Sequence, residues 1–148
     1  MMNKRVNTEI GSSRQRGFTL MELLVVLAIL ALLAGLVGPR VMNALGEGKS
    51  KAAIVQLADL GAALDLYRLD VGHYPSTNDG LQSLVTNEED SNRWNGPYLT
   101  KKKLPQDPWG YDYEYRFPGE YGEYDLYSLG SDNAEGGDGE NRDIVSWE

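Results

Sequence analysis

Cysteine is absent from this chain, and with it go disulfides, thiolate nucleophiles, iron–sulfur ligation and cysteine zinc sites. An exported domain built this way needs a sufficient core or another staple, such as a metal ion. Histidine is nearly absent as well. The lone His73, beside Tyr74-Pro75, excludes a multi-histidine metal site, and no nucleophile-elbow pattern accompanies it. Nor is there a glycine-lysine phosphate loop, so nucleotide hydrolysis is not this chain's work. Basic residues are scarce beyond the start. Residues 1–17 hold Lys4, Arg5, Arg14 and Arg16 against Glu9, so the formal net charge of -8 leaves the remainder at -11. Lys101-Lys102-Lys103 is the one basic cluster of that remainder and reads as a solvated turn. An acidic body of this kind argues against nucleic acid as a partner.

What the chain has instead is a long apolar run. Residues 18–37 read FTLMELLVVLAILALLAGLV, and the run is interrupted by a single charge. At the helical rise it covers about 30 Å, the thickness of a bilayer's hydrocarbon core. The basic residues before it place residues 1–17 in the cytoplasm and the body across the membrane, although Arg40, Lys49 and Lys51 beyond the run weaken that asymmetry. An ordinary secretory signal has a shorter apolar stretch and a small-residue cleavage site, whereas Gly38-Pro39-Arg40 follows here. An uncleaved signal anchor is the other reading of the run. Neither accounts for Glu22.

A carboxylate at this depth costs about 2–3 kcal/mol on insertion scales and calls for a partner, yet the run contains no Lys or Arg. Cleavage between Gly17 and Phe18 would create an α-amine near Glu22. In a helical array, the Glu22 of one subunit pairs with the amine of its neighbour, and the pairing sets axial register. Ala28, Ala31, Ala34 and Gly35 are small enough to let such helices approach closely.

The segment Arg14-Gln15-Arg16-Gly17-Phe18-Thr19-Leu20-Met21-Glu22, followed by the apolar run, resembles the leader junction of type IV pilins and pseudopilins. The resemblance implies cleavage after Gly17 by a prepilin peptidase and N-methylation of Phe18. It also implies assembly roles for Glu22 and for Pro39, which falls where that family often carries proline.

Beyond Pro39, the glycines Gly46 and Gly48 predict a loosened stretch, with helix resuming near Lys49. Ile54, Leu57, Leu60, Gly61, Leu64, Tyr67 and Val71 recur every three or four residues, the pattern of an amphipathic helix facing a core and ending near Gly72. Thr77-Asn78-Asp79 offers caps for a short helix from Gly80 to Thr86. Residues 87–110 read as a long loop pinned by Trp94, Tyr98 and Trp109. Tyr111, Tyr113, Tyr115 and Phe117 alternate with polar residues and predict a strand over 111–117. A turn at 118–122 leads to a second strand over 124–129, and a third covers 144–147. The expected fold is α+β, with a long N-terminal helix, half transmembrane and half amphipathic, packed on a small antiparallel sheet.

Residues 130–143 read GSDNAEGGDGENRD, in which Asp132, Glu135, Asp138, Glu140 and Asp143 crowd a glycine-rich segment. From composition alone, a solvated acidic loop and a calcium site both remain open; the twelve-residue ligand spacing of an EF-hand is absent. Residues 72–84 (GHYPSTNDGLQSL), 96–99 (GPYL), 104–110 (LPQDPWG) and 125–147 look like the major pseudopilins of type II secretion systems in particular. That likeness covers nearly the whole chain. It implies calcium held by the Leu129 carbonyl and the side chains of Asp132 and Asp143. Asn133 and Arg142 depart from the small or acidic residues usual there.

The implied organisation is a cleaved leader (1–17), a membrane and polymerisation helix (18–38), an amphipathic half-helix (39–72) and a periplasmic domain (73–148) with its calcium loop at 129–143. The implied function is structural, a homopolymer that drives export of folded proteins across the outer membrane. Its partners would be minor pseudopilins, the inner-membrane secretion platform and the prepilin peptidase. A type IV major pilin for adhesion or motility is the alternative, disfavoured because the usual C-terminal cysteine pair is missing. A membrane-anchored enzyme using Asp107 and Asp112 as an acid/base pair is a further one, although their spacing selects no reaction geometry.

Overall fold

A computed structural model describes residues 17–148. The leader therefore lies outside the described residues, apart from Gly17. One helix, α1, runs from Leu20 to Val71, and the chain divides near its middle into two units, one reaching Pro39 and the other covering Arg40–Glu148.

In the first unit every described residue through Val37 is exposed, including Leu23, Leu27, Leu30 and Leu33. Leucine and alanine are strong helix formers, so this stretch is helical without a core to lean on. It is long and apolar enough to cross a membrane.

In the second unit α1 is amphipathic. Ala53, Leu57, Leu60, Leu64, Tyr67 and Val71 are buried at alternating spacings of four and three. Ile54, expected on that stripe, is exposed; Ala53, four before Leu57, takes the inward position and keeps the alternation of four and three. The loosening expected after Pro39 does not occur, since α1 continues unbroken through Gly46 and Gly48. Gly46 is buried, and a Cβ there would lie 2.3 Å from Glu140 Cγ, so the absent side chain is what admits Glu140. Ser50 Oγ also donates to the Gly46 carbonyl at 3.1 Å. Gly72, at φ +105°, ends α1 in the left-handed region, its N–H bonded to the Arg68 carbonyl.

The short helix is a 3₁₀ turn over Gly80–Leu84, stopping before Thr86. Ser76 serves its start, its Oγ accepting the Asp79 N–H at 3.2 Å, in place of the expected Thr77–Asp79 caps. The loop that follows is anchored by the residues expected to pin it. Trp94 Nε1 donates to the Ser83 carbonyl at 2.8 Å, the Tyr98 hydroxyl donates to Asp70 at 3.0 Å, and Trp109 packs half-buried on the core.

The sheet has three antiparallel strands in the order β1 (Glu114–Arg116), β2 (Asp125–Ser128), β3 (Ile144–Val145). Tyr115 faces Leu126, and Ser128 faces Ile144. Strand β1 is shorter than its alternation predicts. The Phe117 N–H goes to Thr77 Oγ, whose hydroxyl in turn donates to the Phe117 carbonyl, so the backbone leaves the ladder there. At its other end Asp112 bridges only to Gln106. Leu126 and Ile144 close the core over α1 with Tyr113, Leu81 and Leu84. The β1–β2 turn is organised by Asp125, which is fully buried. Its carboxylate accepts the amides of Glu120 (2.8 Å) and Tyr121 (3.1 Å) and the Arg116 guanidinium (2.7 Å).

Candidate functional site

Two places carry the residues singled out by sequence. The first is the start of α1. Gly17 and Phe18 are exposed and lie ahead of the helix, and Phe18 has its ring in the open. Thr19 and Glu22 form a reciprocal cap. The Thr19 N–H donates to Glu22 Oε2 at 2.8 Å, and the Thr19 hydroxyl donates to the same oxygen at 3.1 Å. The Glu22 N–H returns a bond to Thr19 Oγ at 3.2 Å. This is a capping box, and its signal, Thr-x-x-Glu ahead of an apolar run, was readable in sequence. Glu22 thus has neutral donors from its own chain. Among the described residues it has no cationic partner, and the donors it does have, from Thr19, are neutral. Pro39 lies within α1, and its missing N–H leaves the Gly35 carbonyl without the usual helical donor.

The second place is the segment between β2 and β3. The Ser128–Ile144 pairing brings the next residues outward, Leu129 and Asp143, to the same end of the ladder. Two single 3₁₀ turns, Gly130–Asp132 and Gly139–Asn141, fold the intervening residues. Gly130 is required on two grounds. Its φ is +69°, and a Cβ there would lie within 2.9 Å of backbone atoms of Glu140, Asn141 and Arg142. Asn133, at φ +52°, occupies a left-handed position that asparagine tolerates better than most residues, which explains its presence. Arg142 turns away to pair with Glu148 at 2.8 Å.

The carboxylates do not act as one crowd. Among the described residues no three Asp, Glu, His or Cys side chains are grouped to hold a metal ion. Glu140 is spent against Gly46, and Asp132 Oδ1 accepts the Ala134 N–H at 3.2 Å. Asp143 differs: Oδ2 accepts the Gly136 N–H at 2.9 Å, while Oδ1 is buried with no hydrogen-bond partner. A buried carboxylate oxygen without a donor is costly. It fits a hard cation whose shell mixes carboxylate and carbonyl oxygens.

The remaining acidic candidates are structural acceptors. Asp107 Oδ1 accepts the amides of Trp109 (3.0 Å) and Tyr111 (2.8 Å), and Oδ2 accepts the Ser128 hydroxyl at 2.6 Å. Asp112 accepts from Gln106 at 3.2 Å. The link from Asp107 to Ser128 spans 21 positions and had no sequence signal; only the local Asp-to-amide turn of DPWG did.

A capped apolar helix without a core, continuing into an amphipathic half on a three-stranded sheet, defines the pilin-like class of helix-anchored subunits. Residues 40–147 match the family described as type II secretion system (T2SS), protein G, and residues 12–38 match the prokaryotic N-terminal methylation motif. Type II secretion system core protein G of Pseudomonas aeruginosa is 47% identical over 139 residues, covering 91% of this chain and 96% of the relative. Its counterpart in Vibrio cholerae is 43% identical over 137 residues, covering 90% and 92%. The crystal structure of the major pseudopilin from the type 2 secretion system of enterohaemorrhagic Escherichia coli superposes with a TM-score of 0.59 at 35% identity. It covers 72% of this chain and 92% of that one. The chain belongs to the type II secretion system protein G family.

Proposed function

We propose that this chain is the core structural subunit of a type II secretion pseudopilus, polymerising through α1 to drive export of folded proteins across the outer membrane. The observation that carries the reading is the first half of α1, where leucines, isoleucine and valines stand exposed along the whole described run. Such a surface needs lipid before assembly and other helices after it. Before assembly the subunit is anchored in the inner membrane, leader inward and residues 73–148 in the periplasm. A prepilin peptidase cuts between Gly17 and Phe18 and methylates the Phe18 amine. That amine then meets the Glu22 of an adjoining subunit, a charge the capping box leaves uncompensated. Minor pseudopilins and the inner-membrane platform are the partners for initiation and growth. Mass spectrometry of the mature N-terminus tests this: an N-methylated Phe18 supports it, and an intact leader or a cut beyond Val37 overturns it.

Calcium is the second element of the proposal. The Leu129 carbonyl and the Asp132 and Asp143 side chains would hold it, with the unpartnered Asp143 Oδ1 as the supporting observation. When bound, the ion neutralises the facing carboxylates and ties the end of β2 to the start of β3. At calcium about 100-fold above Kd the linkage stabilises the fold by about 2.7 kcal/mol. A chelator should therefore lower the melting temperature and stop filament growth, whereas an unchanged melt in chelator counts against the site.

A further inference from the structure

The DPWG loop and the β2–β3 segment are far apart in sequence, yet a chain of hydrogen bonds joins them beneath the surface. Asp107 is 5% exposed and Ser128 is fully buried. Asp107 makes no ion pair in the described structure; its three acceptor bonds come from two amides and one hydroxyl. A carboxylate at this site can only accept, so the single Ser128 hydroxyl proton must point at Asp107 Oδ2, 2.6 Å away. This orientation turns the Ser128 lone pairs outward, and one of them accepts the Gly130 N–H at 3.2 Å. Gly130 follows directly on Leu129, and its amide belongs to the same peptide plane as the Leu129 carbonyl. Holding that N–H therefore holds the direction in which the carbonyl oxygen points.

We infer that Asp107 and Ser128 are positioning residues for the calcium loop: through the Gly130 amide they aim the Leu129 carbonyl, and so set metal affinity without touching the ion. The inference rests on the calcium reading above. It also gives a role to Asp107 Oδ2, the oxygen that the Trp109 and Tyr111 amides leave free. An asparagine side chain at position 107 has nearly the same shape but the opposite polarity where it matters. Its oxygen would be needed by the Trp109 and Tyr111 amides, so its NH₂ would face Ser128. The serine oxygen would then have to accept from that NH₂ and from the Gly130 N–H together, and the hold on Gly130 weakens.

The test is calcium titration by calorimetry on the full chain in detergent, for wild type, Asp107→Asn and Ser128→Ala, beside thermal melts in chelator. Partners one step outside a metal's shell are typically worth about 10–100-fold in affinity. Kd is expected to rise at least about tenfold in both variants, beyond anything the chelator melts account for. Folded variants that bind within twofold of wild type, whatever their melting temperatures, overturn the inference and leave the calcium reading standing. A wild type that binds no calcium overturns both. Should either variant fail to fold, amide chemical shifts in ¹⁵N-labelled wild type decide. Trp109, Tyr111 and Gly130 are expected to move in step with calcium saturation, and stationary Trp109 and Tyr111 signals refute the relay.

Discussion

The two halves of α1 are equally helical and differ in everything that holds them. Before Pro39, leucines stand exposed and the one acid closes a capping box. After it, Leu57, Leu60 and Leu64 are buried against a sheet, and the glycine at 46 admits Glu140. The first half is helical by propensity and leaves its apolar surface exposed, the surface proposed above for lipid and neighbouring helices; the second half is packed within its own chain. Substitutions should therefore divide cleanly, with assembly damaged in the first half and folding in the second.

The largest effect is expected at Glu22. Glu22→Gln keeps shape and one acceptor oxygen but removes the charge that an adjoining amine would meet. Filament yield and cargo export should fall more than about tenfold, the scale of a lost buried ion pair. The thermal melt of the Arg40–Glu148 unit should not move. Normal fibres from the variant would sink the pairing, since the neutral cap to Thr19 survives the change.

Next is the core. Leu64 is fully buried, and Leu64→Ala should cost about 2–5 kcal/mol in a denaturant or thermal melt. Leu27→Ala, one of the exposed leucines of the first half, should leave that melt unchanged and act on filament yield alone. A destabilised melt in the Leu27 variant would show that the two halves are not independent.

How much of this was legible in sequence follows the same division. The apolar run and the 57-60-64-67-71 stripe are patterns carried over many residues, the leader junction is a motif of fixed offsets, and the fold class came from these together with the strand alternation. The larger misreadings involve partners distant in the chain, whereas the Ser76 cap and the inward place of Ala53 are local shifts of one position. Gly46 looked like a helix breaker because Glu140, which covers it, is 94 positions away. The alternation at 111–117 promised a long strand, but Thr77 captures the Phe117 backbone and ends it early. Within the acidic loop, composition named five carboxylates. Burial and hydrogen bonding single out Asp143, and neither property is visible in a string of acids.

The smallest expected effect concerns Asp125, a buried carboxylate of the second unit that is fully partnered where Glu22 is not. Burial pulls its carboxyl upward, but the Glu120 and Tyr121 amides and the Arg116 guanidinium outweigh it, so the group sits below its ordinary value. A carboxyl depressed on folding contributes stability that is fully present above its unfolded value, about 3.9. That contribution is lost as pH falls through the lower folded value. Asp125→Asn lacks this titration and should melt a few degrees below wild type at neutral pH, in chelator so that the metal loop stays out of the comparison. The gap should hold down to about pH 4 and close below it. A gap that does not narrow at all as pH falls below about 4 would mean that Asp125 works through shape and hydrogen-bond count, with its charge contributing nothing to the turn.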